Sequence, residues 1–155
     1  MAREASFELN CPEYTGSVAD IVKLLNSFGW SYYDEDGRAE YLSVGDCGSF
    51  DWQMAEITET QLFEIFDCLC QRGETIGIVM YYRDTEHGIT LLSSDTGSII
   101  IIPNICRRTL NDDDDNSITD VSWYAERIVQ KLIWYGCKVS GFRFEEFEGQ
   151  ENEEF

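Results

Sequence analysis

The stretch Thr75-Ile-Gly-Ile-Val-Met-Tyr-Tyr-Arg83 is rich in β-branched and aromatic residues, and it begins the part of the chain that decides the fold. Two further apolar runs, Gly88–Ser93 and Ser98–Pro103, follow it. The connectors between the runs are short and polar, as in turns. Strands joined by short turns pair antiparallel, so the sequence predicts a central meander over residues 75–103.

The last strand of this meander contains four consecutive isoleucines, Ile99–Ile102. A strand with no polar residue on either face is typical of the interior of a sheet. We therefore expect an interior strand that is covered on both faces. Proline cannot donate a ladder hydrogen bond, so Pro103 is expected to mark the end of the strand.

Three segments outside the meander show the pattern of a capped amphipathic helix. Each opens with a capping pair, continues with an apolar stripe and ends near a glycine. The capping pairs are Ser17/Asp20, Thr58/Gln61 and Ser117/Asp120, and the glycines are Gly29, Gly73 and Gly136. The third segment is the longest, with an apolar stripe from Val121 to Ile133.

Weaker patterns predict further strands and complete the fold. These strands are expected at Trp30–Tyr33, Glu40–Val44, Trp52–Ile57 and Lys138–Phe147, with Phe142 and Phe144 pointing inward in the last. The order α-β-β-β-α-β-β-β-α-β favours an α+β fold, an antiparallel sheet with about three helices packed largely on one face. We expect a single domain over residues 1–147 and a frayed acidic tail over 148–155.

The composition describes an acidic chain that is able to fold. Its 155 residues carry 30 acidic and 11 basic side chains, a formal net charge of -19, while 43% of the residues are apolar and 14% aromatic. No leader pattern opens the sequence, and no run approaches the roughly 20 apolar residues of a membrane span. We expect a cytoplasmic protein that makes no membrane contact and whose six cysteines are reduced and mostly buried.

No motif for catalysis stands out. The single histidine, His87, lies in an apparent hairpin turn and is expected to be exposed, and Cys68 and Cys70 do not have Cys-x-x-Cys spacing. The sequence contains no P-loop, no glycine-rich dinucleotide turn and no nucleophile elbow. We therefore predict a protein that is not an enzyme and has no cofactor and no metal site.

The sharpest local feature is a run of four carboxylates, Asp112, Asp113, Asp114 and Asp115. The run could be a solvated loop whose repulsion is relieved by the following helix N-terminus, a contact surface for a cationic partner, or a weak calcium site. An EF-hand loop that starts at Asp112 fails at its sixth and twelfth positions, which require Gly and Glu.

A second acidic cluster is mixed with aromatic residues. Tyr32, Asp34, Glu35 and Asp36 lie together in the sequence, close to two tryptophans. Aromatic rings and carboxylates together suit an interface with a basic protein, although the aromatic residues could equally belong to the core. Together with the run Asp112–Asp115, these residues are the candidate partner-binding set. Arg107 and Arg108 are the only adjacent basic pair, so direct nucleic-acid binding is not expected.

A small, acidic, aromatic-rich chain without a catalytic motif resembles the bacterial immunity proteins of contact-dependent and other polymorphic toxin systems. The resemblance concerns the class and the layout of the whole chain. It implies a one-to-one complex in which the acidic surface occludes the active site or nucleic-acid groove of a cationic toxin domain, often a nuclease.

Two alternatives remain open at this stage. A DNA mimic with anti-restriction or anti-nucleoid activity would use its carboxylates in place of phosphates, but the acids fall in separate clusters rather than in regular rows. An adaptor, or an enzyme with an unrecognised carboxylate site, is the other alternative, and Asp34, Asp36 and Asp51 could hold a metal in that case.

Overall fold

The structure is a computed structural model that describes residues 3–46, 48–111 and 117–148. Within these ranges, eight strands form one antiparallel sheet that is accompanied by helices, an α+β fold as the sequence predicts. The strands are β1 (Arg3–Asn10), β2 (Trp30–Ser31), β3 (Ala39–Leu42), β4 (Trp52–Ala55), β5 (Ile76–Tyr82), β6 (Gly88–Asp95), β7 (Ser98–Ile105) and β8 (Gly141–Glu148). The helices are α1 (Val18–Ser27), α2 (Glu59–Arg72), α3 (Val121–Arg127) and α4 (Val129–Trp134).

The sheet has the strand order β4-β3-β5-β6-β7-β1-β8, and the short β2 also pairs with β5. The meander β5-β6-β7 lies at its centre, as expected from residues 75–103. The strand β1 was not predicted; all eight of its residues pair with β8, and Phe7, Glu8 and Leu9 also pair with β7. Its alternation of Ala5, Phe7 and Leu9 with polar residues is the signal that was missed.

Two of the three predicted helices begin as the capping pairs indicate. Ser17 with Asp20 and Thr58 with Gln61 each form a complete capping box, and Gly73 ends α2 in the left-handed conformation at φ 69°. The apolar stripes of both helices face the sheet. These local signals define the ends of α1 and α2 because each satisfies backbone groups that the helix leaves unpaired.

The prediction of one long third helix was wrong. The segment is divided at Ile128, which has φ -119° and ψ -68°, into the short helices α3 and α4. Asp120 alone caps α3, by accepting a hydrogen bond from the Trp123 backbone N–H, so the predicted cap at Ser117 is not formed. Ile133, the last residue of the predicted apolar stripe, lies on the surface with 51% of its area exposed.

All the buried helix side chains pack on one face of the sheet and form a single core cluster with it. The other face has no helix against it in the described part of the chain, and we call it the open face. Leu42 and Val79 lie on the open face and are 1% and 4% exposed, yet they are not members of the core cluster. The sheet therefore separates the core from a second, smaller apolar surface.

The isoleucine strand β7 is interior, between β6 and β1, but it is not covered on both faces. Ile99 and Ile101 are buried in the core, whereas Ile100 and Ile102 are only half-buried on the open face. Pro103 also does not end the strand, which continues to Ile105. A register shift between β6 and β7 occurs at Pro103, and a bulge of this kind tolerates a residue that cannot donate.

The strand β8 forms one edge of the sheet. Phe144 packs against the core and Phe142 stacks on Phe7 at 5.7 Å, so both point inward as expected, although the edge position leaves Phe142 39% exposed. The strand includes Glu148, which the sequence analysis assigned to the tail. Residues 149–155 lie outside the described residues.

Candidate partner-binding cleft

Two acidic turns face each other at one end of the sheet and enclose a cleft of about 510 Å³, which we call the acidic cleft. One turn joins β2 to β3 and the other joins β5 to β6. Strand pairing brings them together, because Trp30 and Ser31 of β2 lie opposite Tyr82 and Tyr81 of β5. The lining residues are Ser31, Tyr33, Asp34, Glu35, Asp36, Tyr81, Tyr82, Arg83, Asp84, Thr85 and Glu86.

The first turn is organised by Asp34. Its carboxylate accepts hydrogen bonds from the backbone N–H groups of Asp36 and Arg38, at 2.9 and 3.0 Å. These backbone bonds, led by that from Arg38, hold the pKa of Asp34 below its usual range. Asp34 is thus a structural residue of the turn, while Glu35 and Asp36 are exposed beside it. Arg38 offsets part of the charge, with its guanidinium 3.1 Å from Asp36.

The second turn is held by Thr85. Its hydroxyl donates to the carbonyl of Tyr82 at 2.9 Å and accepts from the backbone N–H of His87 at 3.1 Å. Asp84 adopts the left-handed conformation at φ 60°, which aspartate tolerates better than most residues, and it is exposed together with Glu86. Side-chain hydrogen bonds therefore order both turns that form the walls of the acidic cleft.

Tyrosines supply the apolar part of the lining. Tyr33 donates its hydroxyl to the carbonyl of Ile57 at 2.9 Å, and Tyr82 packs edge-on against Trp30 at 4.9 Å. Tyr81 is half-buried on the open face, and burial, followed by the nearby carboxylates of Glu40 and Asp34, raises the pKa of its phenol. Its ring joins the acidic cleft to the open face.

Tyr32, which the sequence suggested as a contact residue, is buried in the core. Tyr32 is only 2% exposed, and its ring packs edge-on against Phe63 at 5.4 Å within the core. Alternation along the chain explains the difference, because Tyr33 and not Tyr32 turns toward the cleft. Tyr32 is accordingly a core residue and does not present a surface for a partner.

The other predicted acidic segment, Asp112, Asp113, Asp114 and Asp115, lies outside the described residues. The residues on either side of the segment are joined by a hydrogen bond from the Leu110 N–H to the Ile118 carbonyl at 2.9 Å. The predictions for these four aspartates therefore stay predictions.

A nearly buried ion pair fixes the segment that follows this run to β8. Arg107 lies 3.2 Å from Glu146, and their side chains are 12% and 5% exposed. The Glu146 carboxylate also accepts two hydrogen bonds from Thr119, one from the hydroxyl at 2.8 Å and one from the backbone N–H at 3.1 Å. Arg107 donates to the Ser117 carbonyl at 2.9 Å. The pair ties residues 117–119 to the edge of the sheet.

His87 lies at the turn before β6, as predicted, but it is half-buried rather than fully exposed. Its Nδ1 lies 2.6 Å from the carbonyl oxygen of Cys106, and its ring packs edge-on against Trp123 at 5.1 Å. Trp123 also has the guanidinium groups of Arg127 and Arg108 over its ring, at 4.5 and 5.6 Å. The single histidine is therefore part of an aromatic and basic cluster beside α3, and it does not line the acidic cleft.

The chemistry that the acidic cleft offers is the binding of cations. Carboxylates accept charge-assisted hydrogen bonds from Lys and Arg, and aromatic rings attract the same groups through their π faces. Within the ranges that the structure describes, no group of three or more His, Cys, Asp or Glu side chains is arranged to hold a metal ion. Asp34, Asp36 and Asp51 are accordingly not brought together as a metal site.

Sequence reasoning found one wall of the acidic cleft and missed the other. Asp84 and Glu86 were assigned to a hairpin turn and Tyr81 to a strand, without a functional role. The acidic turn was visible in the sequence, but its proximity to Asp34–Asp36 depends on the pairing of β2 with β5. That pairing joins residues about 50 positions apart, so no local sequence pattern predicts it.

The chain matches no protein-family model, no curated protein and no solved structure. None of the helices in the described ranges combines the length and apolarity needed to cross a bilayer. The features that bear on function are the geometry of the acidic cleft and the charge of the chain.

Proposed function

We propose that this protein is a cytoplasmic immunity protein that binds a cationic toxin domain, such as a nuclease, and neutralises it by covering its active site or nucleic-acid groove. It has no catalytic activity of its own and acts without a cofactor. The observation that carries the proposal is the acidic cleft, in which five exposed or partly exposed carboxylates on two hydrogen-bonded turns surround three tyrosines.

Ordered walls support a binding role because a preformed site loses little conformational entropy when a partner docks. The net charge of -19 supports a cationic partner, since opposite fields accelerate encounter and discourage wrong partners. A DNA mimic would need rows of carboxylates with the spacing of phosphates, whereas the acids of the cleft lie on two opposed turns.

The proposal predicts that a toxin domain is encoded directly upstream of this gene, and the test uses that domain. Co-expression with this protein should restore the growth of cells that produce the toxin domain, and the purified pair should form a one-to-one complex. A neighbourhood without a toxin gene, or a toxin domain that the protein neither binds nor neutralises, would contradict the proposal.

Charge variants then locate the interface. Asp84→Asn with Glu86→Gln should slow association about threefold to tenfold at low salt and flatten its salt dependence. Glu64→Gln with Asp67→Asn is the matched control, since it removes the same charge from exposed positions of α2. Stopped-flow association rates at low and high salt distinguish the two variants, and equal rates for both would remove the acidic cleft from the interface.

A further inference from the structure

The open face carries apolar side chains against which no helix packs in the described ranges: some are partly exposed, whereas Leu42 and Val79 are buried by their neighbours. Its centre is a strip that crosses the five strands β4, β3, β5, β6 and β7, which we call the apolar strip. The strip consists of Leu42, Trp52, Val79, Leu92, Ile100 and Ile102. None of these six belongs to the core cluster or to the partly buried residues packed against it.

The packing of the apolar strip depends on the absence of a side chain at Gly77. A Cβ atom on Gly77 would lie 2.7 Å from Leu42 and 2.9 Å from the ring of Trp52, so the absent side chain leaves a recess that these two residues fill. Leu92 lies opposite Gly77, and beyond it Ile100 and Ile102 of β7 have part of their area in solvent. The result is a low apolar surface in the middle of the sheet.

Carboxylates border the strip on both sides. Glu40 borders the strip on β3. On the opposite side, Glu8 of β1 and Glu145 of β8 border it. Arg143 forms an ion pair with Glu8 and is the one cation that the described registers place on this border. An apolar centre within an acidic border is complementary to an apolar patch surrounded by Lys and Arg.

The apolar strip is continuous with the acidic cleft. Tyr81 lines the cleft and, two residues along β5 from Val79, stands on the same face of the sheet as the strip. A partner that places its cations in the cleft thus has apolar contact area directly beside it.

We infer that the open face is the docking surface for the cationic partner, with the apolar strip as its anchor and the acidic cleft as its steering site. This inference rests on the proposed function and adds the surface that slows dissociation. Charges at the border govern the association rate, whereas apolar contacts at the centre govern the dissociation rate.

The first test needs no toxin. The probe is a 14-residue amphipathic helical peptide of leucine and lysine, and a lysine-only peptide of equal charge is the control. With the isoleucine methyl groups labelled for NMR, the amphipathic peptide should shift Ile100 and Ile102, and it should leave Ile99 and Ile101 on the core face unchanged. Its dissociation constant should be at least about tenfold lower than that of the control peptide.

Three results with the peptide would overturn the inference. The amphipathic peptide could fail to bind, it could shift Ile133 on α4 instead of the strip, or it could bind no more tightly than the control peptide. Shifts of Ile100 and Ile102 that follow protein concentration without any peptide would also overturn it, because they would make the open face a contact between copies of this chain.

The second test uses the complex with the toxin domain. Ile100→Gln should raise the dissociation rate about tenfold, with Ile102→Thr as a second variant and Ile133→Gln as the exposed control. Urea unfolding establishes that each variant is folded. Unchanged dissociation for both strip variants, with slowed association for the cleft variant, would refute this inference and leave the proposed function standing. Absence of any toxin complex would refute the proposed function itself.

Discussion

The ion pair between Arg107 and Glu146 allows a quantitative prediction for Glu146→Gln. The glutamine keeps the shape of the side chain and an acceptor for Thr119, but it removes the negative charge beside a guanidinium that is only 12% exposed. Removal of one partner from a buried pair costs about 3–5 kcal/mol. Arg107 keeps its bond to the Ser117 carbonyl at 2.9 Å, so we expect the lower end of that range, about 3 kcal/mol.

Urea unfolding at neutral pH measures this loss directly, and thermal unfolding should show a decrease in Tm of about 6–12 °C for a chain of this size. The matched control is Glu13→Gln. Glu13 lies at the same 3.2 Å from Lys138, but the two side chains are 67% and 77% exposed. An exposed pair of this kind contributes less than about 1 kcal/mol.

A double variant isolates the charge. Arg107→Met combined with Glu146→Gln removes both charges and keeps the acceptor for Thr119, so its stability should lie above that of Glu146→Gln alone. If Glu146→Gln cost less than about 1 kcal/mol, or no more than Glu13→Gln, the argument that burial makes this pair important would be refuted.

Three further predictions concern the turns, the sheet and the thiols. Asp34→Asn should lower the free energy of unfolding at pH 6, because a carboxylate with a lowered pKa stabilises the fold while it is ionised. The difference in free energy of unfolding between the variant and the wild type should narrow as the pH falls below 3.8, the ordinary pKa of an aspartate. Urea unfolding at pH 6 and pH 3 measures this difference. Gly88→Ala should cost about 1–3 kcal/mol in urea unfolding, since its Cβ would lie 2.8 Å from the Met80 carbonyl oxygen and 2.9 Å from Ile105 Cβ. In thiol titration of the native protein, the exposed Cys106 should react before Cys11 and Cys137. These two thiols should react only on unfolding, because burial raises the pKa of both. Reaction of all three thiols at the same rate would contradict the burial of Cys11 and Cys137.

The sequence was most informative where a local interaction decides the structure. The capping boxes at Ser17 and Thr58 and the short turns of the meander each satisfy backbone groups within a few residues, so their effect is visible in the sequence. The third helix shows the limit of this reasoning. The apolar residues of this segment have helical spacing, but no glycine or proline marks the break at Ile128.

Long-range pairing accounts for the other differences. Whether Ile100 is covered depends on where the helices pack, and periodicity alone cannot distinguish a strand buried on both faces from one whose second face is open. The acidic cleft depends in the same way on the pairing of Trp30 with Tyr82. Local patterns thus identified Asp34–Asp36 as an acidic turn, and only the fold joined them to Asp84 and Glu86.

The strand β8 is an eight-residue edge with a pairing partner on one side in the described part of the chain, and such an edge invites other strands to add to it. Its charged residues oppose this. Glu146 points inward from the edge, and a like-charged second copy with a net charge of -19 is repelled before contact. If the acidity attracts a cationic partner, as we propose, the same charge also opposes aggregation through the edge of the sheet.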